Sequence, residues 1–335
     1  MARETKGIVL FLLYASPLFF CITSVFVGPY SLTPAEIVDL IGKRIICSGQ
    51  SVTEQAILFD IRLPRIILAL LTGCALSASS ACFQATFRNP LVSEYILGIS
   101  AGAAFGASLS IATLGDELPV QLMAFAGGIA AVLLTYGMAR IRGETQTLSL
   151  VLAGIITNAI FTGGNYIIRY FAEPEQLHVL IVWLMGSFSA ASWKDISYSG
   201  PFIIAGTVFL YLLRWRLNLL SMGDEEAKAF GINTEKMKIV LLGTATLVTA
   251  AAISVVGIIG WIGLMVPHIV RLLIGSDNRR VLPASATFGA ALMLMADDAV
   301  RMAKGVELPV GVLTTIIGAP FFAYLIRKSR GGVWE

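Results

Sequence analysis

The chain has 335 residues, of which 56% are hydrophobic and only 13% are Asp, Glu, Lys or Arg. Soluble domains carry about a quarter charged residues, so this composition excludes a soluble enzyme, a disordered chain and a nucleic-acid-binding protein. The formal net charge of +3 is too small to indicate a partner by itself. The composition therefore indicates a polytopic membrane protein.

Windows without charged residues predict the membrane-spanning helices, because about 20 apolar residues are needed to cross the hydrocarbon layer. The windows are Gly7–Val27, Ile66–Phe87, Tyr95–Gly115, Leu118–Ala139, Thr145–Ile168, Ile196–Leu213, Ile239–Val270, Val281–Ala296 and Leu308–Ile326. The 32-residue window Ile239–Val270 is too long for one crossing, and its glycines predict a break near Gly257–Gly260. The sequence thus predicts an all-α protein with ten transmembrane helices, forming one domain over residues 1–335.

Two further helices are predicted outside these windows. Thr33 followed by Pro34 is typical of a helix start. The apolar stretch Leu177–Ala190 is too short to cross, so it predicts a short helix at or dipping into the outer face.

The positive charges predict the orientation. With ten spans and a cytoplasmic N-terminus, 16 of the 24 Lys and Arg residues fall in cytoplasmic segments, which places both termini in the cytoplasm. An eleven-span chain with its N-terminus outside would also collect most positive charge inside. Charge counting therefore leaves both topologies open, and segment length favours ten spans.

The longest outer segment, 28–65, ends in Arg62-Leu63-Pro64-Arg65 at the start of the second span. A third outer arginine, Arg301, closes the ninth span beside Asp297 and Asp298. Arginines at a membrane boundary can anchor the helix by snorkelling, or they can bind an acidic partner. The residues alone leave these two interpretations open.

The longest cytoplasmic segment, Asn218–Lys238, is rich in charge. Within it, Gly231-Ile232-Asn233-Thr234 predicts the end of one short helix and the start of another. Ala229, Phe230 and Ile232 would then be exposed within a polar rim. Such a pair of helices is either a solvated turn or a docking knob for another protein, and the apolar residues favour docking.

The sequence offers no catalytic or metal-binding constellation. Gly98-Ile99-Ser100-Ala101-Gly102 matches a nucleophile elbow in letters only, since it opens an apolar helix, and His178 and His268 lie far apart. The four cysteines have no disulfide or zinc spacing, and no phosphate-binding loop is present. No ionisable residue is expected at the centre of a span, which disfavours a secondary transporter and an intramembrane enzyme. We expect no cofactor, and energy for any transport would come from another chain.

Several stretches, in order along nearly the whole chain, resemble the permease family of bacterial and archaeal ABC importers for ferric siderophores, haem and cobalamin. They are Arg62-Leu63-Pro64-Arg65, Arg88-Asn89-Pro90-Leu91, Leu97-Gly98-Ile99-Ser100, Trp183-Leu184-Met185-Gly186-Ser187, Gly223–Ile232, Gly260–Leu272, Glu307-Leu308-Pro309-Val310-Gly311 and Ile317–Phe322. The resemblance implies a type II ABC importer permease with ten spans in the cytoplasmic (inner) membrane. It also implies a homodimer, two separate ATPase subunits and an extracytoplasmic substrate-binding protein as partners. The chain itself would then not be an enzyme.

The resemblance also implies roles for the outer arginines. Arg62, Arg65 and Arg301 match positions that bind acidic residues of the binding protein. The pair Asp297-Asp298 departs from the family pattern, which has a single acid there. The second acid would partly neutralise Arg301, so the docking role of that arginine is the least secure.

On the cytoplasmic side, the family's coupling helices match Gly223–Lys236. Gly223, Ala227 and Gly231 would contribute to the ATPase contact, with Phe230 as its apolar knob. Thr147 falls where the family has its cytoplasmic gate.

The cargo is not identified by the residues. The resemblance implies a metal chelate, namely a ferric siderophore, haem or cobalamin. An oxyanion such as molybdate or tungstate is the alternative within the same family.

Overall fold

The computed structural model describes residues 3–30, 32–46, 53–114, 119–141, 144–145, 147–303 and 308–329. Within these ranges the chain is all-helical, as predicted, apart from one antiparallel pair of two-residue strands. The strands are β1 (Arg140–Ile141) and β2 (Glu144–Thr145). The helices are α1 (Arg3–Phe26), α2 (Pro34–Ile46), α3 (Thr53–Ala56), α4 (Leu63–Phe87), α5 (Ile99–Leu109), α6 (Val120–Ala139), α7 (Thr147–Phe171), α8 (Pro174–Leu184), α9 (Trp193–Met222), α10 (Asp224–Ala229), α11 (Thr234–Val256), α12 (Ile262–Ile274), α13 (Asn278–Met302) and α14 (Val310–Ser329).

Every apolar window of the sequence coincides with a helix. Six helical segments of the described chain are long and apolar enough to cross a membrane, and they lie in α1, α3 to α4, α6, α7, α9 and α11. Shorter apolar helices correspond to α5, α12 and α14. The total of ten crossings and the side on which each terminus lies stay predictions.

Helix α4 forms the centre of the bundle. It packs against α13, α9, α11 and α12, and every residue from Ala75 to Phe87 is buried. Small side chains make this possible, because lipid provides no hydrophobic drive and close backbone packing must hold the helices together. The same applies to α5 and α6, where a Cβ at Gly102 would collide with the carbonyl of Gly127. Gly102 thus allows the backbones of α5 and α6 to approach each other closely.

The predicted break in the longest apolar window is confirmed. Helix α11 ends at Val256 and α12 begins at Ile262, so five residues separate them, with Gly257 at φ +76°. One backbone group freed by the break bonds to a neighbouring segment, since Ser187 N–H donates to the carbonyl of Val256 at 2.9 Å. The neighbouring segment is itself bonded to the start of α14, because Gly311 N–H donates to the carbonyl of Gly186 at 3.2 Å. Protein groups thus satisfy non-helical backbone at these positions, as the membrane interior requires.

Helix α8 differs from its prediction in both bounds. It begins at Pro174, where Glu173 and Gln176 form a reciprocal capping box. It ends at Leu184 rather than at residue 190, because the chain turns at Gly186 (φ +67°) to bond to the α11–α12 break. The sequence shows apolar character there but not this turn.

The outer segment also differs from its prediction. Thr33 caps α2 as expected, since its hydroxyl accepts from Glu36 N–H at 3.3 Å. Helix α3, however, continues through π-helical turns at Ile57–Arg62 into α4, so one helical segment runs from Thr53 to Phe87. Arg62 and Arg65 therefore lie within a helix and not at its mouth.

Candidate functional site

The charged side chains gather at the two ends of α4. We call the end at Leu63 the outer end and the end at Phe87 the inner end, following the predicted orientation. The outer cluster consists of Ser24, Arg62, Arg65, Asp297, Asp298 and Arg301. The inner network consists of Tyr136, Thr145, Asp224, Glu235 and Lys238. The 25 residues of α4 separate the two ends by about 37 Å.

Asp297 is the centre of the outer cluster. Its carboxylate is fully buried and accepts three hydrogen bonds from Arg65, at 2.9 to 3.0 Å. Arg301 Nε lies 3.2 Å from Oδ2 of the same carboxylate. One aspartate of α13 therefore compensates two buried guanidinium groups.

Arg301 also reaches Asp298 and the C-terminal end of α1. It forms an ion pair with Asp298, whose Oδ1 also accepts from the Ser24 hydroxyl at 2.6 Å. Arg301 Nη1 donates to the carbonyl of Val27 at 2.9 Å. The predicted neutralisation of Arg301 by the second acid is confirmed.

Arg62 bonds to backbone and not to a carboxylate among the described residues. Its Nη1 donates to the carbonyl of Val25 at 2.7 Å, and its Nη2 donates to that of Tyr30. A cation at these last carbonyls of α1 is favourable, since a helix C-terminus carries partial negative charge. Arg62 thus retains a formal charge that no carboxylate of the described chain balances.

The three outer arginines are buried, with exposed fractions of 4% for Arg62, 7% for Arg65 and 9% for Arg301. Their docking to a partner stays a prediction, but the charges of Arg65 and Arg301 are paired inside the protein. The physical reason is the continuous helix described above, which turns the Arg62-to-Arg65 segment toward α1 and α13. All three still border a cavity of about 390 Å³, together with Pro29 and Tyr30.

At the inner end, α10 is one short helix and the second predicted helix is the beginning of α11. Asn233 caps α11 as predicted, accepting from Lys236 N–H at 3.0 Å. Phe230 is 64% exposed and Gly231, at φ +78°, is also exposed. An apolar ring beside a glycine turn at the protein surface is the arrangement expected of a docking knob.

Ala227 and Gly223 lie differently. Ala227 lies on the inward face of α10 and is completely buried, and Gly223 is buried as well. The side chain of Ala227 thus faces the bundle, and its contribution to the ATPase contact stays a prediction. A Cβ at Gly223 (φ +144°) would collide with Glu226, so this glycine shapes the turn into α10.

The inner network connects α10 to the strand pair before α7. Lys238 Nζ lies 2.6 Å from Asp224 Oδ2 and donates to the carbonyl of Thr145 at 3.2 Å. Glu235 accepts from the N–H of Thr145 at 3.1 Å and from the hydroxyl of Tyr136. Residues from α6, β2, α10 and α11 are thus joined through hydrogen bonds and one ion pair.

The predicted gate residue, Thr147, begins α7 and is partly buried. Its neighbour Gln146 lies outside the described residues. The sequence analysis missed Lys238 and Glu235 as partners of this segment. They are three residues apart near the start of a helix, which indicates that their side chains share one face. Nothing in the sequence, however, connects that face to Thr145.

Glu94 is a second residue that the sequence analysis missed. The segment Arg88–Gly98 folds back so that Glu94 is buried between α4 and α12, with Ser80 Oγ 3.3 Å from its Oε2. A Cβ at Gly263 would lie 3.1 Å from the same oxygen. A carboxyl group that lies outside the apolar windows in sequence is therefore inside the protein.

Asp277 holds the turn between α12 and α13 at the inner end. It accepts from Asn218 at 2.7 Å and caps α13 through the N–H of Arg279 at 3.0 Å. Partial burial alone would raise its pKa, but the hydrogen bonds from Arg279 and Asn218 outweigh this and lower the pKa to about 2.

The described residues contain no group of three or more His, Cys, Asp and Glu side chains able to hold a metal ion. His268 packs against Phe322, with ring centroids 6.0 Å apart. Cys21, Cys74 and Cys82 are free thiols, and Cys47 lies outside the described part of the chain.

Comparison with known proteins decides the family. A model of the FecCD transport family matches residues 16–328. The chain belongs to this family. It is 41% identical over 275 residues to a probable iron chelatin transport system permease of Helicobacter pylori, covering 82% of this chain and 83% of that one. It is 32% identical over 330 residues to the molybdate import system permease of Haemophilus influenzae, covering 97% and 98%.

A solved structure agrees with the family assignment. A metal-chelate type ABC transporter in an inward-facing conformation matches with a TM-score of 0.84 and 31% identity, covering 96% of this chain and 99% of that one. Other relatives are named as haemin and cobalamin permeases. The chain is therefore the permease of an ABC importer and a multi-pass protein of the inner membrane.

Proposed function

We propose that the chain is the permease through which a binding-protein-dependent ABC importer moves a metal chelate into the cytoplasm, with ATP hydrolysed by a separate subunit. The observation that carries the proposal is the match to a metal-chelate type transporter over 96% of the chain. The names of the iron chelatin, haemin and cobalamin relatives support the same class of cargo.

The side chains that line a cavity at the α11–α12 break favour a chelate over an oxyanion as the cargo. A cavity of about 310 Å³ lies at the α11–α12 break and is lined by Tyr95, Leu184, Met185, Ile258, Gly260, Gly311, Val312, Thr315 and Ile316. These side chains are apolar or weakly polar, and none is cationic. A compact oxyanion would lose hydration there without gaining a positive partner, whereas a large chelate presents apolar surface. A weakly polar path also releases its cargo easily.

Two copies of the chain would enclose the path. Helix α7 exposes a row of large apolar side chains: Leu148, Leu152, Ile155, Ile156, Ile160, Tyr166, Ile167, Tyr170 and Phe171. α14 exposes Ile316, Ile317 and Tyr324. Such faces contact lipid or another apolar helix, and a homodimer with α7 and α14 at its centre uses both.

The ATPase subunits would bind below, at the surface formed by Phe230 and Gly231. The exposed aromatic ring provides apolar area for a pocket on the partner, while the buried Ala227 keeps the opposite face of α10 packed against the bundle. Movement of α10 would then open and close the path near Thr147 by rocking of the two copies.

The substrate-binding protein would bind above, over the 390 Å³ cavity. Among the outer arginines, Arg62 is the one whose charge we propose to act on an acidic partner, because Arg65 and Arg301 have carboxylate partners within the chain. Arg65 and Arg301 would instead hold the rim of the cavity in shape.

The direct test is uptake into proteoliposomes that contain the chain, its cognate ATPase and its binding protein. Ferric siderophore, haemin, cobalamin and molybdate are offered separately, each with and without ATP inside. We expect ATP-dependent uptake of one chelate and no uptake when the ATPase cannot hydrolyse ATP. Uptake of molybdate alone would replace the chelate by an oxyanion, and ATP-independent uptake of every cargo would refute the proposal.

A further inference from the structure

We propose that Lys238 is a positioning residue. It connects α10, the proposed ATPase-docking helix, to Thr145, which lies two residues before the predicted gate residue Thr147. This inference rests on the proposed function, since it assigns the contact through which movement of α10 reaches the path. The observation behind it is the position of one buried ammonium group between two segments that are far apart in sequence.

Lys238 is buried, and its Nζ makes both contacts, one to Asp224 and one to Thr145. Its exposed fraction is 3%, and its Nζ contacts Asp224 Oδ2 at 2.6 Å and the carbonyl of Thr145 at 3.2 Å. A buried ammonium is costly unless it is paired and hydrogen-bonded, so both contacts are held strongly. Displacing Asp224 must therefore either move Thr145 as well or leave a buried charge unpaired.

Glu235 holds the same segment from one turn away on α11. Its carboxylate accepts from the N–H of Thr145 at 3.1 Å and from the hydroxyls of Thr145 and Tyr136. Residues three apart on a helix share one face, so Glu235 and Lys238 together grip the backbone of Thr145 at both its donor and its acceptor. Two residues farther along the chain, Thr147 begins α7.

The build of α10 suits it to transmit movement as a unit. It has only six residues and lies between two glycines with positive φ, Gly223 at +144° and Gly231 at +78°. Glycines absorb backbone rotation at little steric cost, so α10 can shift relative to α9 and α11. Asp224 is the first residue of α10, so it moves with that helix.

The test compares Lys238→Met with Lys194→Met in proteoliposomes that contain the ATPase and the binding protein. Lys194 is an exposed lysine near the start of α9, outside both the coupling segment and the outer cluster, so it is the control for the same chemical change. The measured quantity is the number of substrate molecules imported per ATP hydrolysed. Coupling free energies between sites correspond to about 5- to 150-fold effects, and we expect a fall of about tenfold for Lys238→Met. Lys194→Met should keep the wild-type ratio, and Lys238→Arg should restore most of it.

A second variant tests the same contact if Lys238→Met does not fold. Asp224→Asn breaks the link at its partly exposed end and leaves Lys238 bonded to Thr145, so we expect it to fold and to lower the ratio in the same direction. In the double variant the two effects should not add, because both remove one interaction. A wild-type ratio in Asp224→Asn, or in folded Lys238→Met, would overturn the inference. A wild-type complex without ATP-driven uptake would instead overturn the proposed function, and the inference with it.

Discussion

The outer cluster and the inner network carry similar residues but use them differently. At the outer end, Asp297 and Asp298 neutralise Arg65 and Arg301 inside the protein, and the remaining donors hold the last carbonyls of α1. At the inner end, one buried ion pair joins two segments, and Phe230 at the end of α10 has an exposed ring. The outer charges fasten three helices together, whereas the inner charges connect a surface to the interior.

This difference shows why a charged segment at a membrane boundary does not by itself identify a docking surface. Both ends of the molecule have clustered charge in sequence. Among the described residues, only the inner end combines that charge with an exposed aromatic residue at the end of a short helix between glycines. We therefore expect changes at the outer end to act first on stability and changes at the inner end to act first on assembly and coupling.

The largest effect is expected from Asp297→Asn. This change leaves Arg65 and Arg301 buried without their shared carboxylate, and breaking a buried ion pair on one side costs about 3–5 kcal/mol. We expect a much lower midpoint of thermal unfolding for the purified protein. Glu225→Gln, which alters a highly exposed carboxylate on α10, is the control and should leave the midpoint unchanged. Equal midpoints for Asp297→Asn and wild type would show that the outer cluster does not hold the helices together.

The next effect is the loss of ATPase binding in Phe230→Asp. Interface hot spots cost about 2 kcal/mol or more, so we expect about 30-fold or more weaker association of the ATPase with the permease in nanodiscs. Because Phe230 is exposed, the midpoint of thermal unfolding should stay within the wild-type range. Phe230→Leu keeps apolar area and should retain most of the affinity. Unchanged affinity in Phe230→Asp would remove this surface as the ATPase site.

A smaller effect is expected at Arg62. Arg62→Gln removes the outer positive charge that lacks a carboxylate partner in the described chain, and we expect about tenfold slower association with the binding protein at low salt. The difference from wild type should shrink as salt increases, because salt screens the long-range attraction between this charge and an approaching partner. Arg62→Lys, which keeps the charge, serves as the control. An association rate that does not depend on this charge would assign Arg62 to anchoring α1 alone.

The smallest effect is expected from Asp277→Asn at the inner end. The folded-state pKa of Asp277 is lowered to about 2 from an ordinary value of 3.8, so its ionised form stabilises the protein above about pH 4. This contribution is lost as the pH falls toward 2. Partly exposed pairs of this kind contribute about 0.2–1 kcal/mol. Unfolding midpoints should therefore differ slightly at pH 6 and converge near pH 2, and a constant difference would contradict the pKa.

Features set by local chemistry could be predicted from the sequence. Thr33 and Asn233 cap their helices, the glycines near residue 257 interrupt a span, and Asp298 neutralises Arg301. Each of these depends on residues close together in the chain. The apolar windows likewise gave the helices, because hydrophobic length alone defines a membrane span.

Features set by tertiary packing could not be predicted. The direction of Arg62 and Arg65 depends on the uninterrupted helix that joins α3 to α4. Ala227 is buried because α10 lies flat on the bundle, and the contact between Lys238 and Thr145 joins residues 93 positions apart. Glu94 enters the interior because the segment after α4 folds back, which no periodicity indicates.

The most direct test of the central claim is the energy source for uptake. In proteoliposomes with the complete importer, the initial rate of chelate uptake is measured with ATP alone and with an imposed proton gradient alone. We predict uptake with ATP alone and none with the gradient, despite the buried carboxyl of Glu94. Uptake that is driven by the proton gradient and abolished by Glu94→Gln would contradict the claim that transport is driven by ATP hydrolysis in a subunit bound at Phe230.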